Sequence, residues 1–242
     1  MIFRIIGPER FPGAFFSDRA AAADDSEPPI CFIATLGWSA GEVADAIASA
    51  AGTPVAALVI TDTTDCPTSD DETSRAGEIC RERGITLTHL TFAPIAGTGM
   101  TGRWRDTVNA IYRGIYCHVV GNTARASIIH ALDAAEVAVR AAMHGSHHYV
   151  SDNYNPTVDA IADALARRID DKRIAVLKPR QAHTMAWLTD LFTLGHAGAR
   201  KRLERDTTDA LFTSTQILED IDYQPRDTVS YLTNHIYTDE DL

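Results

Sequence analysis

The sequence predicts an α/β fold with a parallel sheet and helices on both of its faces. Two observations predict it: short continuous apolar runs, which suit strands buried on both sides, and amphipathic stretches between them. Parallel strands need such crossovers, and helices supply them. With 242 residues and 45% hydrophobic content, the chain can bury one substantial core, or one core with a small lobe attached.

The first half of the chain contains the clearest elements. Ser39 stands three residues before Glu42, the spacing of a capping box, and predicts a helix over 40–51. Ser69 followed by acidic residues predicts a second helix, which ends at Gly84 because glycine accepts the left-handed conformation of a helix stop. Apolar runs predict strands at 2–6, 30–34 and 55–60, and a further strand is predicted at 85–90.

The second half begins with a glycine-rich loop, 94–102. An amphipathic helix containing Trp104 and Ile111 follows it, because their spacing places both on one helical face. A strand is predicted at 116–120 and a capped helix at 159–168. The alternation of strands and helices therefore continues beyond the middle of the chain.

Charge and cysteine content restrict the class of partner. The formal net charge is −11 and the sequence pI is near 5.2, which argues against nucleic acid or an anionic membrane surface as a partner. No basic leader and no apolar span is evident, so a cytoplasmic location is expected. The cysteines form no C-x-x-C pair and predict neither a zinc site nor a disulfide framework; they are Cys31, Cys66, Cys80 and Cys117.

Three segments of the second half resemble the NAD(P)-dependent epimerase/dehydratase family of extended short-chain dehydrogenases/reductases. The stretch 125–135, with His130 and Asp133, resembles the segment that follows the family's substrate loop. The stretch 148–158 resembles the next strand and capped helix, and 221–229 resembles the closing segment. These segments follow the order of the family's own landmarks, and the resemblance covers roughly residues 76–237.

The resemblance implies a truncated Rossmann-like parallel sheet with helices on both faces and a small C-terminal lobe. The core is expected over 1–150, including the substrate-loop region 94–118, and the mainly helical lobe over 151–242, with return segments to the core. The fold alone specifies no activity.

The resemblance also implies NAD or NADP, which family members bind on a Gly-x-x-Gly-x-x-Gly turn after the first strand. Gly7, Arg10 and Gly13 align with that turn and are the candidate cofactor-binding residues. Glycine permits close approach of the backbone to the pyrophosphate, whereas Arg10 places a side chain there. An arginine can instead meet a phosphate charge, so both interpretations stay open.

The chain is too short between this turn and its second apolar run to contain the whole family core. The interval between Gly13 and Cys31 accommodates one helix, predicted at 14–23, and an acidic linker, 24–29. The family's second and third strands, which shape half of the adenosine pocket, are therefore expected to be missing.

The catalytic pair of the family is also replaced. Asp70 and Ser74 align with the tyrosine and lysine of its Tyr-x-x-x-Lys motif. The tyrosine acts as an acid or base because the lysine lowers its pKa, and an aspartate beside a serine does not reproduce that chemistry. No catalytic residue is therefore predicted. The family's hydroxyl partner and its later arginine align with Thr61, Thr63 or Thr64, and with Thr91, respectively.

Two further groups of residues are candidates for binding. His144, His147 and His148 form a histidine cluster, but His147 and His148 point to opposite faces if they lie in a strand, so no metal site is predicted. The basic island formed by residues 200–202 together with Arg205 is either a solvated helix face or a cradle for a nucleotide diphosphate.

Three functions are consistent with these patterns. The first is a degenerate family member that binds a nucleotide, a sugar nucleotide or a protein partner. The second is an active oxidoreductase or epimerase whose tyrosine has moved, for example to Tyr112, Tyr116 or Tyr154. The third is a structural subunit, a homo-oligomer or the partner of an intact paralogue, that uses the sheet edge beside the first strand.

Overall fold

The computed structural model describes residues 1–7, 29–50, 52–97, 100, 102–169, 173–192, 198–214 and 216–234. The strands are β1 (Ile2–Ile6), β2 (Ile30–Ala34), β3 (Val55–Thr63), β4 (Thr86–Phe92), β5 (Ile95–Ala96), β6 (Cys117–Val119), β7 (Ile129–His130), β8 (Ser146–Val150) and β9 (Ala175–Leu177). The helices are α1 (Ala40–Ser49), α2 (Asp70–Arg83), α3 (Gly102–Tyr112), α4 (Ala131–Arg140), α5 (Val158–Arg167), α6 (Pro179–Phe192), α7 (Ala199–Asp206), α8 (Ile217–Asp220) and α9 (Thr228–Asn234).

The central sheet has five parallel strands in the order β1-β2-β3-β4-β8. Two short parallel pairs, β5 with β7 and β6 with β9, lie outside it. The predicted truncated Rossmann-like parallel sheet is confirmed. Among the described strands β1 is outermost, on the side where a complete Rossmann sheet continues with its second and third strands. The helix predicted at 14–23 and residues 24–28 of the predicted linker lie outside the described residues.

Helix ends follow the local chemistry that predicts them. Ser39 and Glu42 form the expected capping box of α1, in which each side chain bonds to the other residue's backbone. Gly84 ends α2 with φ +66°, in the left-handed region. Glu72 has a role that the pattern does not reveal, because its carboxylate accepts a hydrogen bond from the backbone nitrogen of Ala40 and so links the starts of the two helices.

Helices cover both faces of the sheet, as predicted. One face packs against α1 and α2 through a cluster that includes Phe32, Val43 and Leu58. The other face packs against α4 through a cluster that includes Phe92 and Val137.

A third cluster forms the lobe, where Trp104 and Ile111 of α3 pack with Ile161 and Leu165 of α5 and with Leu232 of α9. Helix α3 therefore packs in the lobe although it precedes β8 in the chain. The division into a core and a lobe at residue 150 stays a prediction.

Several surface and sequence features bear on partners. Within the described residues, no helix is both long and apolar enough to cross a membrane, and no group of three potential metal ligands assembles. The four cysteines are free thiols. Burial raises the pKa of Cys80 to about 11, so this thiol stays protonated at neutral pH.

Candidate functional site

The carboxyl ends of parallel strands form the edge where open α/β sheets bind ligands. Gly7 follows β1 at this edge with φ +109°, and a Cβ atom placed on it would lie 2.9 Å from the Thr35 hydroxyl oxygen. The Thr35 backbone nitrogen donates to the Ile6 carbonyl at 3.0 Å. Close packing of the turn against Thr35 therefore accounts for the glycine. Arg10 and Gly13 lie outside the described residues, so a cofactor role for the three residues stays a prediction.

The residues at the family's catalytic positions lie at the start of α2. Asp70 is the first residue of the helix, Ser74 follows one turn later, and both are exposed. The hydroxyl of Ser69 accepts a hydrogen bond from the Glu72 backbone nitrogen at 3.3 Å and caps the helix. An acidic residue in this first turn is stabilised by the helix dipole. The structural role predicted for Asp70 thus matches its surroundings.

Threonine hydroxyls at the end of β3 bond to the protein itself. Thr61 donates to the carbonyl of Ala34 at 3.0 Å, which ties β3 to β2. Thr63 donates to Asp65 at 2.8 Å, and the same carboxylate accepts the backbone N–H of Arg103 at 2.7 Å. These bonds hold the loop after β3 against the start of α3. Two of the three candidate hydroxyls therefore have structural partners.

A polar cluster on one sheet face joins three strands, and we call it the imidazole cluster: Asp62, His89, Thr91, His147 and Tyr149. Nε2 of His89 lies 2.9 Å from an oxygen of Asp62, and Nε2 of His147 lies 2.8 Å from the Thr91 hydroxyl. The two imidazoles stack with ring centroids 4.1 Å apart and planes 7° apart. Burial, and then the neighbouring His89, lowers the pKa of His147.

The histidine cluster of the sequence separates as its alternation predicts. His147 joins the imidazole cluster, while Nε2 of His148 lies 2.8 Å from the Gly145 carbonyl. Local sequence patterns do not group the members of the imidazole cluster, because these residues come from distant segments of the chain. These residues come together only when the parallel register pairs His89 with His147.

Two segments that carry the family resemblance meet at a buried carboxylate, which we call the Asp133 junction. The side chain of Asp133 is completely buried. It accepts the Tyr223 hydroxyl at 2.6 Å and Nε of Arg226 at 2.9 Å. Burial raises the pKa of Asp133, and these two partners oppose that rise by stabilising the charged form. The junction ties α4 to the closing segment of the chain.

A cavity of about 500 Å³ lies between the end of α3 and helix α7. We call it the basic pocket, because four cationic side chains line it: Arg113, Lys201, Arg202 and Arg205. Asp106 is the acidic residue in its lining. Three residues of the basic island, Lys201, Arg202 and Arg205, therefore line one cavity together with Arg113, which follows α3. Arg200 does not take part, since its Nε donates to Asp190 at 3.1 Å.

Buried charges support the wall of this pocket. Nη2 of Arg103 lies 3.4 Å from Asp206, and both side chains are buried. Nε of Arg205 donates to the same carboxylate at 3.3 Å, whereas its Nη2 is buried and has no hydrogen-bond partner. Burial raises the pKa of Asp206, and Arg205 and Arg103 oppose that rise. One guanidinium at the pocket thus retains an unused donor, which is unusual for a buried polar group.

A second cavity, of about 410 Å³, lies beside the Asp133 junction. Asp152, Tyr154, Glu219 and Asp222 contribute to its lining. Its charged residues are acidic, unlike those of the basic pocket. Tyr154 is thereby placed at a cavity, whereas Tyr116 is buried, and burial raises the pKa of its hydroxyl.

Comparison with known proteins identifies the fold. No family model and no curated protein matches the chain. Solved structures do match: UDP-N-acetylglucosamine 4-epimerase from Bacillus cereus has a TM-score of 0.58 at 10% identity, with 96% of each chain covered. A human epimerase family protein determined with NADPH has a TM-score of 0.59 at 12% identity, covering 98% of this chain and 100% of that one. The chain has the fold of extended short-chain dehydrogenases.

This epimerase-like fold brings an implied cofactor, and the described residues do not fit it. Beyond β1, where half of the adenosine pocket belongs, the described part of the chain contributes no strand. The positions of the tyrosine and lysine hold the exposed Asp70 and Ser74. The residues that fit an anionic ligand lie instead in the basic pocket.

Proposed function

We propose that this chain is a degenerate relative of the NAD(P)-dependent epimerases and dehydratases, which lacks conventional catalysis and binds a nucleotide or sugar nucleotide. The observation that carries the proposal is the basic pocket, where four cations surround a cavity in a chain of formal net charge −11. Arginine and lysine form charge-assisted hydrogen bonds to phosphate oxygens. The phosphate groups are therefore the part of the ligand that we assign to this pocket.

The cations of the basic pocket come from two different elements, which supports a binding site rather than a solvated helix face. Arg113 follows α3, whereas Lys201 and Arg202 belong to α7, so the pocket collects charge from two separate elements. The guanidinium of Arg205 adds positive charge at the same place, although its Nη2 is buried and its Nε donates to Asp206. Asp106 of the lining lies 3.9 Å from Nη1 of Arg205, so Arg113, Lys201 and Arg202 are the cations that we assign to a bound phosphate.

The dimensions suit a small ligand. A cavity of about 500 Å³ falls inside the range of about 300 to 1,000 Å³ typical of small-molecule sites. A diphosphate with one attached sugar or nucleoside is of this order. A long dinucleotide is less suitable, which agrees with the poor fit of the described residues to NAD or NADP.

The replaced catalytic pair supports binding without the family's chemistry. An aspartate in the first turn of a helix complements the helix dipole and does not reproduce the chemistry of the family's tyrosine and lysine. Asp70 also lacks a lysine neighbour, because Ser74 occupies that position.

The test is calorimetric titration of the full chain with a UDP-sugar, inorganic pyrophosphate, NAD(H) and NADP(H). We expect the UDP-sugar and pyrophosphate to bind and the affinity to fall with salt, because the contacts are ionic. The double variant Lys201→Glu/Arg202→Glu is expected to lose at least tenfold in affinity. Its matched control, Arg81→Glu/Arg83→Glu, changes two exposed cations of α2 and should bind as the unmodified chain does.

Two results would contradict the proposal. Equal loss in both double variants would show that overall charge, not the basic pocket, controls binding. Tight dinucleotide binding that survives Lys201→Glu/Arg202→Glu would favour the alternative, an active oxidoreductase or epimerase with a relocated tyrosine. Turnover assays with Tyr112→Phe, Tyr116→Phe and Tyr154→Phe would then identify that residue.

A further inference from the structure

The two helices beside the basic pocket each present one stripe of residues to it. In both stripes the residues are spaced i, i+3, i+4 and i+7, so each stripe lies on a single helical face. The stripe of α3 and its helical continuation consists of Asp106, Asn109, Ala110 and Arg113. The stripe of α7 and the residue before it consists of Gly198, Lys201, Arg202 and Arg205.

The two stripes run in opposite directions. Nη2 of Arg103, at the start of α3, donates to the backbone carbonyl of Arg205 near the end of α7 at 3.3 Å. Nη1 of Arg205 lies 3.9 Å from the carboxylate of Asp106, about one turn further along α3. Arg113, beyond the end of α3, shares the cavity with Gly198, which precedes α7. Asp106 therefore lies opposite Arg205 at one end of the pocket, which we call the acidic end.

The other end, which we call the cationic end, carries the positive charge. Arg113 lies there opposite Gly198, and Lys201 follows Gly198 by one turn of α7. A Cβ atom added to Gly198 would have nothing within 4 Å, so there is open space beside these cations. At the acidic end, in contrast, the guanidinium of Arg205 is shared by Asp106 and Asp206, whose oxygens lie 3.9 Å and 3.3 Å from it.

The distance between the two ends sets the size of ligand that can contact both. From Asp106 to Arg113 the helix rises about 10 Å, at 1.5 Å per residue. Phosphate groups held at the cationic end do not span this distance by themselves. A sugar or nucleoside attached to them extends toward Asp106, and its hydroxyl or amino groups are hydrogen-bond donors. An ionised carboxylate only accepts hydrogen bonds, so it favours such donors and repels phosphate charge.

We propose that Asp106 is the specificity-determining residue of the basic pocket, and that it selects phosphate esters with hydroxyl or amino donors over bare polyphosphates. The phosphate groups bind at the cationic end, and the attached sugar or base faces Asp106. This inference rests on the proposed function of the pocket, to which it adds the orientation of the ligand and the residue that discriminates between ligands.

The surroundings of Asp106 indicate selection rather than support of the fold. Its side chain is 65% exposed, and its distance of 3.9 Å from Arg205 is longer than a hydrogen bond. An exposed ion pair of this kind contributes little to stability. Arg205 is held independently, because its Nε donates to Asp206 at 3.3 Å. Substitution of Asp106 should therefore change binding without unfolding the chain.

The test is calorimetric titration of the full chain with UDP-glucose and with inorganic pyrophosphate. We expect the unmodified chain to bind UDP-glucose at least tenfold more tightly than pyrophosphate. In Asp106→Asn the ratio of the two affinities should fall at least fivefold, because repulsion of the more highly charged pyrophosphate is removed and the sugar donors lose a charged acceptor. Asp106→Glu keeps the charge and should retain most of the preference.

The matched control is Asp45→Asn, which removes the same charge from an exposed position of α1 and should leave both affinities unchanged. If both ligands bind and Asp106→Asn keeps the ratio of the unmodified chain, or if Asp45→Asn lowers it equally, the role of Asp106 is overturned while the phosphate site stands. If neither ligand binds, or if Lys201→Glu/Arg202→Glu leaves the binding of both intact, the proposed function fails and this inference fails with it.

Discussion

The carboxyl edge of the sheet and the C-terminal lobe use their polar groups differently. At the sheet edge, Thr61 and Thr63 bond to neighbouring protein groups, and Gly7 packs against Thr35. In the lobe, Lys201 and Arg202 instead face a cavity. The hydroxyls of Thr61 and Thr63 are thus satisfied within the protein, although one buried oxygen of Asp62 beside them has no hydrogen-bond partner among the described residues.

The two regions also belong to separate packing clusters. The lobe has its own apolar cluster around Trp104 and Ile161, and none of its members comes from α2. A substitution in α2 therefore need not disturb the packing of the lobe. The Asp133 junction, in contrast, holds the lobe's closing segment against α4, so it connects the two regions mechanically.

The largest effect is expected at the Asp133 junction. Asp133→Ala should lower the free energy of unfolding by about 3 kcal/mol, because it leaves Arg226 and Tyr223 without their buried partner. Urea denaturation would measure it. The control Asp70→Ala removes an exposed carboxylate and should stay within about 0.5 kcal/mol.

If Asp133→Ala does not fold, Tyr223→Phe tests the same junction more gently. It removes one hydrogen bond and should cost about 1 kcal/mol. Equal stability of the Asp133 and Asp70 variants would show that the junction does not hold the two regions together.

The second effect concerns the turn after β1. Gly7→Ala should destabilise the chain by about 2 kcal/mol, since alanine is strained at positive φ and its Cβ would approach the Thr35 hydroxyl. Gly37→Ala is the control, because Gly37 has φ +83° and nothing within 4 Å of its added Cβ. Thermal denaturation should show a larger loss of stability for Gly7→Ala than for Gly37→Ala. Adding Thr35→Ala to the Gly7→Ala variant should recover part of that loss. Similar losses would mean that close packing against Thr35 is unimportant.

A smaller effect is expected from the pH dependence of the imidazole cluster. The folded pKa of His147 is lowered from its usual 6.5, so below pH 6.5 the unfolded chain binds the proton more readily. Stability should therefore decline as the pH falls from 6.5 through the folded pKa. His147→Gln should flatten this part of the profile of unfolding free energy against pH. His144→Gln, at an exposed position, should leave the profile unchanged, and an unchanged profile in His147→Gln would contradict the assignment.

The smallest effect is expected from placing the family's tyrosine and lysine at positions 70 and 74. Asp70→Tyr/Ser74→Lys should confer neither dinucleotide binding nor turnover, because the described residues lack half of the adenosine pocket. Absorbance assays with NADH and NADPH would detect activity. Appearance of dinucleotide binding would show that the sheet edge is less closed than its hydrogen bonds indicate.

Local patterns were sufficient to predict most of the elements. The capping box at Ser39, the stop at Gly84 and the apolar run of β2 all have their causes within a few residues, and the structure has them where they were predicted. The parallel arrangement of the strands was predicted from their alternation with helices along the chain. The landmarks at Asp133 and Tyr223 predicted the fold, although their mutual contact was not predicted.

The sites depended on tertiary structure. The imidazole cluster requires the register that places Asp62, His89 and His147 side by side, and no local pattern encodes contacts over such separations. The basic pocket likewise forms only where Arg113 lies beside α7, and α6 is linked to α7 by the bond between Asp190 and the Ala199 backbone. Short-range hydrogen bonds and apolar periodicity act within one element, whereas a site depends on how several elements pack, and that is decided only in the folded chain.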